Sequence, residues 1–189
     1  MTKKNLRSQR ELKEVRRRFL QGEFDLYYCD EAGFCLTPSV PYAWQPIGER
    51  LEINSSRSPQ LNVLGFLRHD GEHFAPYVLQ GTFDSSATIA CVDHFCQDLR
   101  QPTTVVIDNS PLHTSNAFQS RIPDWESKGL YFWFLPPYCP ELNFIELLWR
   151  KIKYLWMPHE AYESMAKLEE SLCQILTSVG TDYKISFQE

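Results

Sequence analysis

Three acidic residues, Asp30, Asp108 and Glu146, stand where carboxylates can do phosphate chemistry. Each aspartate closes a short apolar run rich in strand formers, Asp25 to Cys29 before Asp30 and Thr103 to Ile107 before Asp108. Ligands in an open α/β sheet collect at the carboxyl ends of its strands, so both acids are expected at that edge. A third acid has to come from a helix packed across it. Glu146 is the candidate, about one and a half turns into a helix read over Glu141 to Trp156; Glu141 competes but is better explained as a first-turn acid facing the helix dipole. Carboxylates gathered without a basic partner repel one another and call for cations. Hard oxygen ligands select Mg²⁺ or Mn²⁺, and two such ions about 3.5–4 Å apart would activate water or a 3′-hydroxyl for in-line displacement at a phosphodiester.

The elements that must position these acids follow from period and punctuation. Asp30-Glu31-Ala32-Gly33 reads as a turn, with Phe34 to Leu36 returning as a second strand. Pro38, Pro41, Pro46 and Gly48 then mark a loop holding Tyr42 and Trp44. Leu61 to Leu67 and Phe74 to Gln80 read as a hairpin turning at Asp70-Gly71. Asp84 caps a helix over about 85–99, a helix over about 114–127 follows the Asp108 strand, and Tyr131 to Leu135 is the last strand. An amphipathic helix over 160–178 ends the order. A right-handed crossover sets the Asp108 strand beside the Asp25–Cys29 strand.

The chain's 189 residues suit one compact α/β domain: a basic arm or remnant linker over 1–22, a catalytic body over 23–180 and a tail over 181–189. Net charge is −5, but residues 1–18 hold eight Lys and Arg against two Glu, so the rest carries −11. An acidic body is awkward for phosphate binding. The main DNA-binding part is therefore expected upstream or on a separate chain, unless 1–18 is simply a solvated helical face. The six cysteines are irregularly spaced and read as reduced thiols, with Cys91, His94 and Cys96 too few for a closed zinc site. Neither a signal peptide nor a long apolar run is present, so a soluble, intracellular protein is expected.

Three segments carry a family resemblance: Tyr28-Cys29-Asp30-Glu31-Ala32-Gly33-Phe34; Val106-Ile107-Asp108-Asn109-Ser110-Pro111-Leu112-His113; and Leu135-Pro136-Pro137-Tyr138-Cys139-Pro140-Glu141-Leu142-Asn143-Phe144-Ile145-Glu146-Leu147-Leu148-Trp149. They resemble the signature blocks of DDE transposases in the bacterial insertion-sequence branch of the mariner superfamily. The 37 residues between Asp108 and Glu146 suit that branch. The resemblance covers about residues 24–156. It implies a ribonuclease H-like fold with a mixed five-stranded sheet flanked by helices, and two Mg²⁺ or Mn²⁺ ions on Asp30, Asp108 and Glu146. It also implies cleavage at transposon ends, strand transfer into target DNA, and a bacterial, nucleoid-associated setting. It settles Glu146 over Glu141. Phe144 departs from the proline common in the family. The short stretch before the first strand departs from the helix-turn-helix modules that family members carry, which points to a fragment, an isolated catalytic half or a domesticated copy.

Smaller expectations concern DNA contact: His113 orienting a phosphate or capping a helix, Trp44 stacking on a base or packing in its loop, and Arg150, Lys151 and Lys153 on the DNA backbone or as a solvated face. A homodimer fits a reaction that couples two ends. Two rival readings share the acids, a structure-specific nuclease of the same fold and a non-catalytic remnant that binds DNA or protein. The third block disfavours the former and the complete triad the latter.

Overall fold

A computed structural model describes residues 3–37, 59–137 and 139–187, with side chains from residue 10 onward. Five strands, β1 (Asp25–Phe34), β2 (Leu61–Arg68), β3 (Phe74–Gln80), β4 (Thr103–Ile107) and β5 (Leu130–Phe134), form one sheet in the order β3-β2-β1-β4-β5. β1, β2 and β3 are antiparallel neighbours, whereas β4 and β5 run parallel to β1. The helices are α1 (Lys3–Leu20), α2 (Ser85–Gln97), α3 (Asn116–Ser127), α4 (Ile145–Lys151) and α5 (Met165–Thr177). This is the mixed five-stranded α/β architecture that the family resemblance implies, with β4 beside β1 as the crossover rule predicts.

Alternation along β1 sorts its side chains to two cores. Tyr28, Ala32 and Phe34 join α4 and α5 residues such as Ile145, Leu148 and Leu172 on one face. Tyr27 and Cys29 join Phe95 of α2 and Phe118 and Trp125 of α3 on the other. Asp84 caps α2 by accepting from the Ala87 amide at 2.8 Å, and Ser115 does the same for α3 through Phe118 at 3.3 Å. The β2–β3 hairpin turns at Gly71 with φ +75°, where a Cβ would also stand 2.4 Å from the Ile185 carbonyl.

Three expectations change. Asp30 to Gly33 is no turn: β1 runs on to Phe34, pairing residue for residue with β2 until Phe34 meets Leu61, and no strand begins at Phe34. A fully paired, two-sided core outweighs the turn bias of Asp and Gly there.

The helix expected over Glu141 to Trp156 is broken into a 3₁₀ turn (Pro140–Leu142), α4, and a π turn (Ile152–Trp156). Asn143 interrupts it with extended dihedrals, φ −92° and ψ 95°, because its side chain serves a tertiary contact described below.

The basic N-terminal segment is not loose over residues 10–20. It is the second half of α1, with Leu12 in the core and Arg16 buried beneath the helix. At the other end of the chain, Ile185 and Phe187 pack into the same core. No helix among the described residues is long and apolar enough to cross a membrane.

Candidate active site

β1 outruns its parallel neighbour. The β1–β4 pairing ends at Tyr28 opposite Val106, and two residues further along each strand bring Asp30 level with Asp108 just beyond the end of β4. α4 crosses this edge and supplies Glu146 in its first turn. The three carboxylates, with Asn109, Ser110 and Asn143, line one cleft of about 380 Å³ walled by Leu135, Pro136 and Pro137. Asn109 braces that wall by donating its side-chain amide to the Leu135 carbonyl.

Each acid has its own setting. Asp30 Oδ2 accepts from the Trp149 indole N–H at 3.2 Å. The ring reaches it because the residue opposite Asp30 on β2 is Gly65, where a Cβ would stand 2.9 Å from Trp149 Cη2 and 2.6 Å from Phe74 Cε2. Burial, followed by the charges of Glu146 and Glu31, pushes the Asp30 carboxyl up to about 8. Asp108 behaves oppositely. A hydrogen bond from His113 holds it below the ordinary carboxylate range, with the Ser110 amide helping and burial opposing.

The cleft edge is built by contacts that sequence reading did not find. Asn143 donates to the Cys29 carbonyl at 3.0 Å, joining the segment before α4 to β1 next to Asp30. Arg16 of α1 donates to the Tyr28 hydroxyl at 2.9 Å and lays its guanidinium 3.8 Å from the centre of the Phe144 ring. Phe144, the position that departs from the family's proline, also stacks on Tyr28. Trp149 could have been found as the residue one turn after Glu146, and Glu31 as the neighbour of Asp30. Nothing local marks Asn143 or Arg16.

The residues expected to touch DNA separate. Arg150 is exposed on α4 next to the Glu146 turn. Lys151 instead donates to the Lys184 carbonyl at 3.2 Å, and the Lys153 ammonium rests 5.2 Å from the centre of the Phe34 ring. His113 is only 1% exposed and faces Asp108 rather than solvent, so it offers DNA no surface. Trp44 lies outside the described residues. All six cysteines are free thiols, and burial raises Cys29 and Cys91.

The donor chemistry suits a hard divalent cation. All three donors are carboxylates, and burial beside two other acids raises one of them, Asp30, to about 8, a cost that a cation would offset. The side chains stand open, however, and among the described residues no three His, Cys, Asp or Glu converge on a single ion position.

A mixed sheet in this order, with acids where β1 runs on past the carboxyl end of β4, defines the ribonuclease H-like class. Residues 25–169 match the model of the DDE superfamily endonucleases, and the chain belongs to that family. Among solved structures it resembles the catalytic domain of Mos1 mariner transposase, with a TM-score of 0.57 and 13% identity over 94% of this chain and 83% of that one. It also resembles the Mos1 strand transfer complex, at 0.58 and 12% over 89% of this chain and 51% of that chain. The magnesium-bound HTLV-2 integrase catalytic core is similar at 0.54 and 12%, covering 86% and 90%. At such identities the likeness is one of fold. The chain spans about half the length of the Mos1 chain in the strand transfer complex. Comparison with curated proteins gives no match.

Proposed function

We propose that this chain is the catalytic part of a transposase, a metal-dependent endonuclease and strand transferase that cuts DNA at transposon ends and joins them to target DNA. The observation that carries the reading is one cleft in a DDE superfamily endonuclease lined by Asp30, Asp108 and Glu146. These residues would hold Mg²⁺ or Mn²⁺, as two ions, which when bound supply Lewis acidity at the phosphodiester and a more acidic attacking water.

The chain's own residues supply the frame. Trp149 holds one Asp30 oxygen, Ser110 and His113 hold one Asp108 oxygen, and Asn143 ties the segment before α4 to β1. Hydrolysis forms a bond from the water oxygen to phosphorus and breaks the bond from phosphorus to the 3′-oxygen. In strand transfer the freed 3′-hydroxyl would attack a phosphorus of target DNA, forming the new oxygen–phosphorus bond and breaking the bond to the target's 3′-oxygen, which leaves as a hydroxyl carrying the proton. Of the three basic residues that follow Glu146, Arg150 is the exposed one and would meet the backbone of a bound strand.

A homodimer would bring two ends together, and sequence-specific end recognition would reside in a helix-turn-helix region upstream or on another chain. The bacterial insertion-sequence branch, with a cytoplasmic, nucleoid-bound site of action, belongs to the same proposal. The test is nicking of supercoiled plasmid and of end-bearing duplexes with Mn²⁺ or Mg²⁺. Wild type should cleave, and Asp108→Asn should stay folded and inactive. Equal cleavage by Asp108→Asn overturns the site, and wild-type DNA binding without cleavage in either metal leaves a binding remnant.

A further inference from the structure

His113 sits in the loop between β4 and α3 with its imidazole in the core, 1% exposed, edge-on to Phe118 at 5.4 Å between ring centres. Its backbone is held too, since the Gln119 side chain donates to the His113 carbonyl at 2.7 Å. Both ring nitrogens face carboxylates. Nδ1 is 2.9 Å from Asp108 Oδ1, and Nε2 is 3.5 Å from Glu31 Oε1. That Glu31 oxygen is buried and, among the described residues, makes no hydrogen bond.

Glu31 and Asp30 are consecutive on β1, so alternation sends them to opposite faces of the sheet. A chain of polar groups therefore runs from Glu31 on the α3 side, through His113, around the end of β4 to Asp108 in the cleft. Among the described residues the hydrogen bonds given to Asp108 fall on one oxygen: Oδ1 takes the His113 ring and the Ser110 amide at 3.0 Å, while the Ser110 hydroxyl stands 3.1 Å from the same His113 Nδ1.

We infer that His113 is a positioning residue, steadied by Glu31 from behind, that clamps Oδ1 of Asp108 and so presents Oδ2 to the cation in the cleft. A buried group that orients a ligating carboxylate reduces the freedom the carboxylate loses on binding metal. This rests on the reading of Asp108 as a metal ligand. It assigns His113 a role away from DNA, and Glu31 one outside the ligand set.

Side-chain geometry provides the controls. An asparagine amide falls near Nδ1 of histidine and a glutamine amide near Nε2, so His113→Asn keeps a donor for Asp108 whereas His113→Gln and His113→Leu do not. The experiment is calorimetric titration of Mn²⁺ into the metal-free 189-residue wild-type chain and its variants without DNA, beside thermal melts that confirm folding. Removing such a partner typically weakens metal binding about 10- to 100-fold. That loss is expected for His113→Gln and His113→Leu, with His113→Asn within about threefold of wild type and Glu31→Gln between. Folded His113→Gln and His113→Leu proteins that bind Mn²⁺ like wild type, while Asp108→Asn does not, overturn the inference and leave the site intact. If Asp108→Asn also binds like wild type, the underlying assignment of Asp108 is what fails.

Discussion

Asn143 donates its side-chain amide to the carbonyl of Cys29 at 3.0 Å, across 114 residues of sequence. The bond lies one residue before Asp30 and three before Glu146, so it sets how closely β1 and α4 approach. Asn143→Leu keeps the volume and leaves a buried carbonyl unpaired, which costs about 1–3 kcal/mol. Its expected signature is a lowered melting temperature with a disproportionate fall in DNA cleavage at temperatures where the protein is still folded. Cleavage that tracks folded fraction alone would contradict a role in placing the acids.

Asp30 and Asp108 give opposite pH dependences. Folding raises Asp30 from the ordinary 3.8 to about 8, so folding favours its protonated form. In cation-free protein its contribution is full below about pH 4 and is lost as pH rises towards 8, at up to about 1.4 kcal/mol per pH unit. Asp108, held low by His113, stabilises above the ordinary carboxylate range and loses that contribution only in acid. Between about pH 5 and 8 the Asp30 effect rules. Melting temperatures in EDTA should fall across that window, and Asp30→Asn should flatten the fall. Parallel wild-type and Asp30→Asn profiles would refute this cause.

Metal should reverse the trend. A cation that binds only the folded state raises stability with its concentration, and it must displace the Asp30 proton to bind. Mn²⁺ is therefore expected to raise the melting temperature more at about pH 8 than at about pH 5.5, and Asp108→Asn to lose most of the rise. An identical rise in Asp108→Asn would place the ion elsewhere.

Gly65 is the space that Trp149 fills. A methyl at this position would meet Phe74 at 2.6 Å and Trp149 at 2.9 Å. Gly65→Ala should destabilise by about 1–3 kcal/mol through overpacking. It should also lift the indole N–H from Asp30, seen as a shift of the Trp149 indole proton resonance. An unmoved resonance in the folded variant would show that the two are independent.

Arg16 makes α1 part of the body. Its guanidinium is buried against Tyr28 and Phe144 beside the segment that leads to Glu146. Arg16→Ala removes a charged hydrogen bond and a cation–π contact, together worth about 2–4 kcal/mol. Limited proteolysis should then cut within residues 10–20 faster than in wild type. Unchanged cutting would return α1 to the status of a loose arm.

Much of the site was legible because its signals are local. Two β-branched or aromatic runs ending in aspartate, a crossover helix between them and a Pro-rich connector before an apolar helix were enough to propose the sheet and the neighbouring strands, while the choice of Glu146 as the third acid rested on the family resemblance. β1 was read too short because local turn propensity at Asp30 to Gly33 says nothing of the β2 partner that overrides it. The helix around Glu146 was read too long because Asn143 breaks it for a partner 114 residues away. The sequence leaves His113 between orienting a phosphate and capping a helix for the same kind of reason: burial depends on what packs over a residue, and Glu31 and Phe118 reach it only after folding. The sequence by itself therefore determined which residue types stand at the sheet edge. Only the tertiary structure decided their acidities, an Asp30 carboxyl pushed up by burial beneath Trp149 and an Asp108 carboxyl held down beside His113, because desolvation and neighbouring charge act through space.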